Sequence, residues 1–241
     1  MAEIKTLRAV QPMANRDQSF NGMFEIPTFD EILQLVRRKT EEEGRVIGVY
    51  PETKHPSFHR ALNLPLEDKL LASLTRFGMN HRNAPVFIQS FEVSNLKYLR
   101  TRTQVKLVQL VDGDDVAVDG AVTLAAPFDK PFDFALANDP LTSVVADVHS
   151  LGLVVYPFTQ RNEPFRLASN YEGNPVNEFV TLYELGVDGF FSDLTDTARV
   201  GRYMFLLKTY PEARDCLLAA KGGQQGKSAL CRVIRGPKKD D

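Results

Sequence analysis

Short apolar runs punctuate the chain at Val46–Tyr50, Val86–Gln89, Lys106–Val111, Leu153–Tyr156 and Val187–Phe191. They are rich in Val, Ile, Leu and Phe and lack strict alternation, the pattern of parallel strands covered on both faces. Helical patterns lie between them. Thr28-Phe29-Asp30-Glu31 has the T-x-x-E form of a capping box, in which a hydroxyl and a carboxylate satisfy free N–H groups of the first turn. Ile32, Leu33, Leu35 and Val36 form the apolar stripe behind it, and Gly44 lies beyond its end. Leu66, Leu70, Leu71, Leu74 and Phe77 predict a second helix that stops at Gly78, a natural C′ residue. Asn174-Pro175 starts another, with Pro favoured at the first helical position, and Gly186 ends it after Phe179, Leu182, Tyr183 and Leu185. Strand, loop, helix, strand is the rhythm of a parallel α/β sheet or barrel.

That rhythm breaks between Val111 and Leu153. Val116–Leu124 reads as a small hairpin turning at Asp119-Gly120. Pro127, Pro131 and several Phe and Asp residues follow, then a helix around Thr142–Ser150, with no buried strand among them. From Gly222 onward the chain is polar, Gly-rich and aperiodic, so a flexible tail is expected. The expected division is one domain over residues 1–208 and a tail over 209–241.

Composition narrows the classes. A chain of 241 residues, 43% of them hydrophobic, can bury a sizeable core. Lys plus Arg number 29 against 31 Asp plus Glu, and this balance lacks the basic excess of nucleic-acid binders. Cys216 and Cys231 are the only cysteines, too few for a disulfide framework and without the spacing of a structural zinc site. The N-terminus has no apolar core of a secretory signal, and no window approaches the ~18 apolar residues of a membrane span. The chain therefore reads as soluble, with its compartment left open.

The candidate chemistry centres on VIGVYPETKHP, Val46 to Pro56. Tyr50, Glu52 and Lys54 share one side if the strand continues, because side chains alternate. Pro51 cannot donate to a ladder, and Pro56 ends the extended segment. In parallel α/β architectures the C-terminal strand ends build the site. A carboxylate there can hold a hard cation, and a lysine ammonium can neutralise a phosphate. A Glu–Lys pair on a solvated loop would look the same in isolation. Other strand ends supply company: Gln89, Ser90 and Phe91; Thr159 with Arg161, Asn162 and Glu163; Ser192 and Asp193. Each has an ordinary reading too, with Phe91 in the core, Arg161 and Glu163 as a surface ion pair, and Asp193 capping the next helix.

In their order, IPTFDEIL, VIGVYPETKHP, VFIQSFEVSNL, KLVQL, LVVYPFTQRNE and GVDGFFSDLTD resemble the glycerophosphodiester phosphodiesterase family, from about Thr6 to Ala198 apart from the middle region. The resemblance implies an α/β fold, a TIM-type (β/α)₈ barrel. It implies hydrolysis of glycerophosphodiesters such as glycerophosphocholine to glycerol 3-phosphate and an alcohol, with Ca²⁺ or Mg²⁺ at the barrel mouth. It implies Glu52 as a metal carboxylate and Lys54 as the phosphate-facing lysine. Gln89, Phe91, Tyr156 and Asp193 are expected on the substrate side, Tyr156 standing where the family usually has histidine.

The family's His-Arg-Gly, Glu-x-Asp and His-Asp elements, which carry its acid, its base and further metal ligands, are absent from this sequence. His59-Arg60-Ala61 and His81-Arg82-Asn83 follow the PE-x-K strand and lack the glycine, so neither replaces them. No catalytic residue is assigned. His55, His59, His81 and His149 stand outside any such motif. Acid–base catalysis is worth about 10²–10⁴-fold, and calcium wants about 6–8 oxygen ligands. The expectation is an incomplete barrel, truncated at the N-terminus, lacking the first two strands and, between Phe134 and Leu141, the sixth. Such a chain would have little or no activity alone, and open edges would invite self-association. A binding or regulatory remnant, and an enzyme completed by another chain, are the alternatives. Relatives are often periplasmic or secreted.

Overall fold

Thr28 forms its capping box in full in the computed structural model, which describes residues 2–112, 122–123, 143–211 and 214. The Glu31 amide donates to the Thr28 hydroxyl, and the Thr28 amide donates to the Glu31 carboxylate at 2.6 Å. A hydrogen bond from Lys5, with further ones from Thr28, holds the Glu31 carboxyl down at about 2. Helix α1 (Phe29–Glu43) runs from this cap to Gly44, which adopts the left-handed conformation. The described residues fall into two compact units, one of 2–110 and 122, the other of 111–112, 123, 143–211 and 214.

In the first unit the chain continues through α2 (Pro56–Ala61), α3 (Glu67–Arg76), β1 (Phe87–Ser90), α4 (Val93–Arg100) and β2 (Lys106–Gln109). Strands β1 and β2 pair in parallel, from Phe87 opposite Lys106 to Ser90 opposite Gln109. The other edge of β1 takes the segment around Tyr50. The amides of Val49 and Thr53 donate to the carbonyls of Pro85 and Gln89, and those of Phe87 and Gln89 donate to Val49 and Pro51. The strand expected at Val46–Tyr50 is thus an extended run displaced toward Thr53. It is held by parallel bridges at Val49–Val86 and Glu52–Gln89 rather than by a regular ladder. Pro51 and Pro85 lack the N–H groups a continuous ladder requires. At Gly48 a Cβ would come 2.6 Å from the Pro85 carbonyl oxygen, so this close approach demands glycine.

Leu33, Leu71, Leu74, Val86, Ile88, Leu99 and Val105 bury the core between these strands and the helices beside them. Strand β2 stops at Gln109, short of the expected Val111. Val111 instead opens β3 (Val111–Asp112), which pairs with β4 (Val122–Thr123). The expected hairpin therefore begins earlier than Val116, and its turn lies outside the described residues.

The second unit holds α5 (Val144–Ser150), α6 (Pro175–Glu184) and α7 (Thr195–Thr209). Asn174 caps α6, its side chain accepting from the Val176 amide at 3.0 Å, with Pro175 as the first helical residue. Val145, Leu182 and Val187 form a small core with Val155 and Phe190. Helices α6 and α7 meet at Gly201, where a Cβ would lie 2.4 Å from that of Phe179.

Leu153–Tyr156 and Val187–Phe191, expected as strands, are irregular extended runs. The Asp188 amide donates to Val155 and the Phe191 amide to Pro157, and a parallel bridge joins Gln160 to Ser192. The expected parallel pairing is present, but it is displaced toward Gln160. Leu153 and Val154 are more than half exposed, so the first apolar residues of that run do not seat in a sheet. The expected gap at Phe134–Leu141, Cys216, Cys231 and the tail from Gly222 lie outside the described residues. Among the described residues no helix is long and apolar enough to cross a membrane.

Burial raises the Glu178 carboxyl on α6 to about 7. Nearby Tyr171 is also raised, first by its own burial and then by the Glu178 charge. The folded Glu178 binds its proton more tightly than the unfolded one, so protonation favours folding. This contribution is present below the unfolded carboxyl's value of 4.5, and it is lost as pH rises through about 7. The melting temperature is expected to fall between about pH 5 and about pH 8, and Glu178→Gln to flatten that slope. Parallel melting curves for wild type and variant across this range would refute the assignment.

Candidate functional site

Glu52 and Lys54 are exposed where the extended run leaves β1, and Thr53 between them is buried, as strand alternation requires. Glu52 lies directly opposite Gln89. Tyr50 stacks on Phe87 of β1, with ring centroids 5.1 Å apart. Gln89 is almost fully buried, and its Oε1 has no hydrogen-bond partner among the described residues. Phe91, half-buried, has its carbonyl held by the Gln109 side-chain amide at 2.8 Å. The first unit therefore gathers Glu52, Lys54, Gln89 and Phe91 at the C-terminal end of its parallel strands.

Their positions depend on a buried polar network that the sequence motifs did not reveal. The Thr53 hydroxyl donates to the Asn95 side-chain carbonyl at 2.7 Å, and the Asn95 amide donates to Glu67 at 2.7 Å. Arg60 also pairs with Glu67, a carboxylate only 1% exposed. Burial pushes the Glu67 carboxyl up. Its backbone hydrogen bond, the Arg60 guanidinium and the Asn95 amide outweigh that, leaving it below its ordinary value. With Thr53 clamped inward, Glu52 and Lys54 must face outward. Glu92 is a second anchor: its carboxylate accepts from the Ser57 amide at 3.1 Å and the Ser57 hydroxyl at 2.8 Å, at the first turn of α2. His55, between Lys54 and α2, takes a left-handed backbone with φ 48. Thr53 had a signal, its place between two outward residues. Glu67 and Asn95 had none, because their partners are distant in sequence.

As a cation site this end of the unit is poor. Glu52 supplies a carboxylate, yet the described residues contain no group of three or more His, Cys, Asp and Glu side chains able to hold a metal ion. A calcium ion seeks about 6–8 oxygen ligands, so this donor set does not fit it and no chemical step is derived through one.

The second unit places Tyr156 and Asp193. The Tyr156 ring packs against Gly189, where a Cβ would come 2.5 Å from a ring carbon. Its phenol is raised by burial and by the charge of Asp188. Asp188 accepts from the Val155 amide at 2.8 Å and lies 3.0 Å from His149 Nε2. Asp193 pairs with Arg161 at 3.1 Å. The capping role expected for Asp193 is not observed: Leu194 occupies the N-cap of α7, without a side-chain hydrogen bond. Nor do Arg161 and Glu163 form a surface pair, since Arg161 turns to Asp193 and Glu163 is buried.

Residues 1–197 match the model of the Glycerophosphoryl diester phosphodiesterase family. The Arabidopsis thaliana glycerophosphodiester phosphodiesterase GDPD6 is 32% identical over 229 residues, covering 81% of this chain and 60% of that protein. A Haemophilus influenzae glycerophosphodiester phosphodiesterase is 28% identical over 115 residues, covering 45% of this chain and 32% of that protein. The chain thus spans 60% or less of the length of these relatives. A crystal structure from Silicibacter pomeroyi, provisionally named a glycerophosphoryl diester phosphodiesterase, superposes with a TM-score of 0.58 at 21% identity. It covers 84% of this chain and 68% of that one, a likeness of fold. The chain belongs to the glycerophosphoryl diester phosphodiesterase family and has its TIM-barrel-like α/β fold.

Proposed function

We propose that this chain carries the phosphate-facing part of a glycerophosphodiester phosphodiesterase site and, alone, binds such diesters with little or no turnover. The observation that carries this reading is the pairing of Glu52 with Gln89, which sets Glu52, Lys54 and the buried Gln89 carboxamide at one strand end. Lys54 supplies a point charge for a phosphodiester anion. Gln89 and Phe91 accompany it at the same strand end. Hydrolysis to glycerol 3-phosphate and an alcohol needs a proton removed from the nucleophile and another delivered to the leaving oxygen. The sequence lacks the His-Arg-Gly and His-Asp elements that supply those groups in the family. Glu52 by itself does not make a Ca²⁺ or Mg²⁺ site, so diester binding in this reading does not depend on the ion.

Calorimetric titration of the chain with glycerophosphocholine, in Ca²⁺ or Mg²⁺, tests both halves. Saturable binding is expected, weakened about tenfold or more by Lys54→Ala through loss of a charge-assisted contact. No glycerol 3-phosphate should accumulate. Release of glycerol 3-phosphate that disappears in Glu52→Ala would overturn the inactivity, and absence of any binding would overturn the site.

A further inference from the structure

Arg82 and Asn83, from the His81-Arg82-Asn83 segment that lacks the family's glycine, line a cavity at the opposite end of the first unit's strands. Among the described residues its wall is formed by Arg82, Asn83, Arg100, Gln104 and Lys106, around a volume of about 630 Å³. Arg82 and Asn83 precede β1, Arg100 closes α4, and Lys106 opens β2 opposite Phe87. Glu52 and Gln89 lie at the other end, where these parallel strands finish. The cavity is therefore separate from the rim already described.

Its chemistry is one-sided. Three cations and two carboxamides face the space, with no carboxylate among the described residues of its wall, in a chain whose formal net charge is −2. The cations are held apart from ordinary ion pairing. Arg100 donates to the carbonyls of Thr103 at 3.1 Å and Val105 at 2.6 Å, which fixes its guanidinium and leaves other N–H groups available. The Lys106 ammonium sits 4.8 Å from the Phe87 ring centroid. That contact orients a cation without neutralising it. The side chains of Arg82, Asn83 and Gln104 have no hydrogen-bond or ion-pair partner among the described residues. Like charges gathered without a counter-charge repel one another, and an anion in their midst relieves that repulsion. The forked guanidinium suits phosphate oxygens, and carboxamides add neutral donors. A cavity of this size exceeds what one phosphate fills, and lies in the range of about 300–1,000 Å³ typical for small-molecule sites.

We propose that this cavity binds a small soluble polyphosphate, of pyrophosphate to nucleotide size, independently of the Glu52 and Lys54 rim. The probes are inorganic pyrophosphate and ATP without metal, titrated calorimetrically into the full chain at physiological salt, with inorganic phosphate for comparison. Saturable one-to-one binding is expected, stronger for the polyphosphates than for phosphate and weaker as salt increases. Arg82→Gln and Lys106→Gln, both exposed and outside the core, should each weaken it about tenfold. Lys97→Gln on α4 and Lys54→Ala should leave it unchanged. No saturable binding in the wild type would overturn the proposal. So would equal losses in Lys97→Gln, which would mean diffuse charge attraction, or loss in Lys54→Ala, which would place the ligand at the other rim. Binding to phosphatidic acid vesicles with no response to the soluble probes would also overturn it.

Discussion

Asn95→Leu is expected to destabilise the chain by about 3 kcal/mol, as two buried polar partners lose their bonds together. Asn95 is 1% exposed and bridges the Thr53 hydroxyl to the Glu67 carboxylate. Leucine has the branching of asparagine with larger methyl groups, so no cavity opens, and unpaired groups together with crowding carry the cost. Thr53 keeps only a long contact of 3.4 Å to the Gln89 carbonyl. Glu67 keeps Arg60, whose side chain is half exposed and correspondingly screened. Urea denaturation would measure the loss, and a change below about 1 kcal/mol would show that the network is not needed for stability. A second readout follows from geometry. Thr53 turns Glu52 and Lys54 outward, so the variant should also weaken glycerophosphocholine binding under conditions where it remains folded.

Gly201→Leu should be at least as damaging, by about 3 kcal/mol, because it drives a side chain into the closest approach of α6 and α7. Even the Cβ of alanine would lie 2.4 Å from that of Phe179. Alanine gains about 1 kcal/mol of helix propensity over glycine, so Gly201→Ala should show a smaller net loss. The discriminating experiment is a double-mutant cycle. Phe179, fully buried, should cost about 3–5 kcal/mol when truncated to alanine. Truncating Phe179 one step further, to glycine, removes the Cβ that the new methyl would meet, so Gly201→Ala combined with Phe179→Gly should cost less than the sum. Strict additivity would mean that the contact does not limit the helix spacing.

Local signals in the sequence were reliable where one turn of chain decides the outcome. Thr28 with Glu31, and Asn174 with Pro175, start helices where capping chemistry puts them, and Gly44, Gly78 and Gly186 take positive φ just beyond helix ends. Strand limits were harder, because a ladder depends on its neighbour. The apolar stretch Val46–Tyr50 was visible, but its hydrogen bonds run from Val49 to Thr53, set by what β1 offers and by Pro51 and Pro85. Leu153 and Val154 were apolar enough for a strand and yet stay exposed. Glu52, Lys54 and Gln89 could be grouped because they end adjacent strands. The supports of Glu52 and Lys54 could not: Asn95 is 42 residues from Thr53 and 28 from Glu67. Asp193 illustrates competition between two sound rules, in which attraction to Arg161 prevails over helix capping.

His55 has a consequence for which replacements its position can accept. Its left-handed backbone turns the chain from Lys54 into α2. A residue with a Cβ bears a cost there of about 1–2 kcal/mol, which glycine escapes and which is eased for asparagine, aspartate and histidine. A randomised library at position 55, selected for folded protein, should therefore return that short alphabet and discard valine and isoleucine. The histidine would then be retained for the angle of its backbone, and its imidazole would be free to change without loss of the fold.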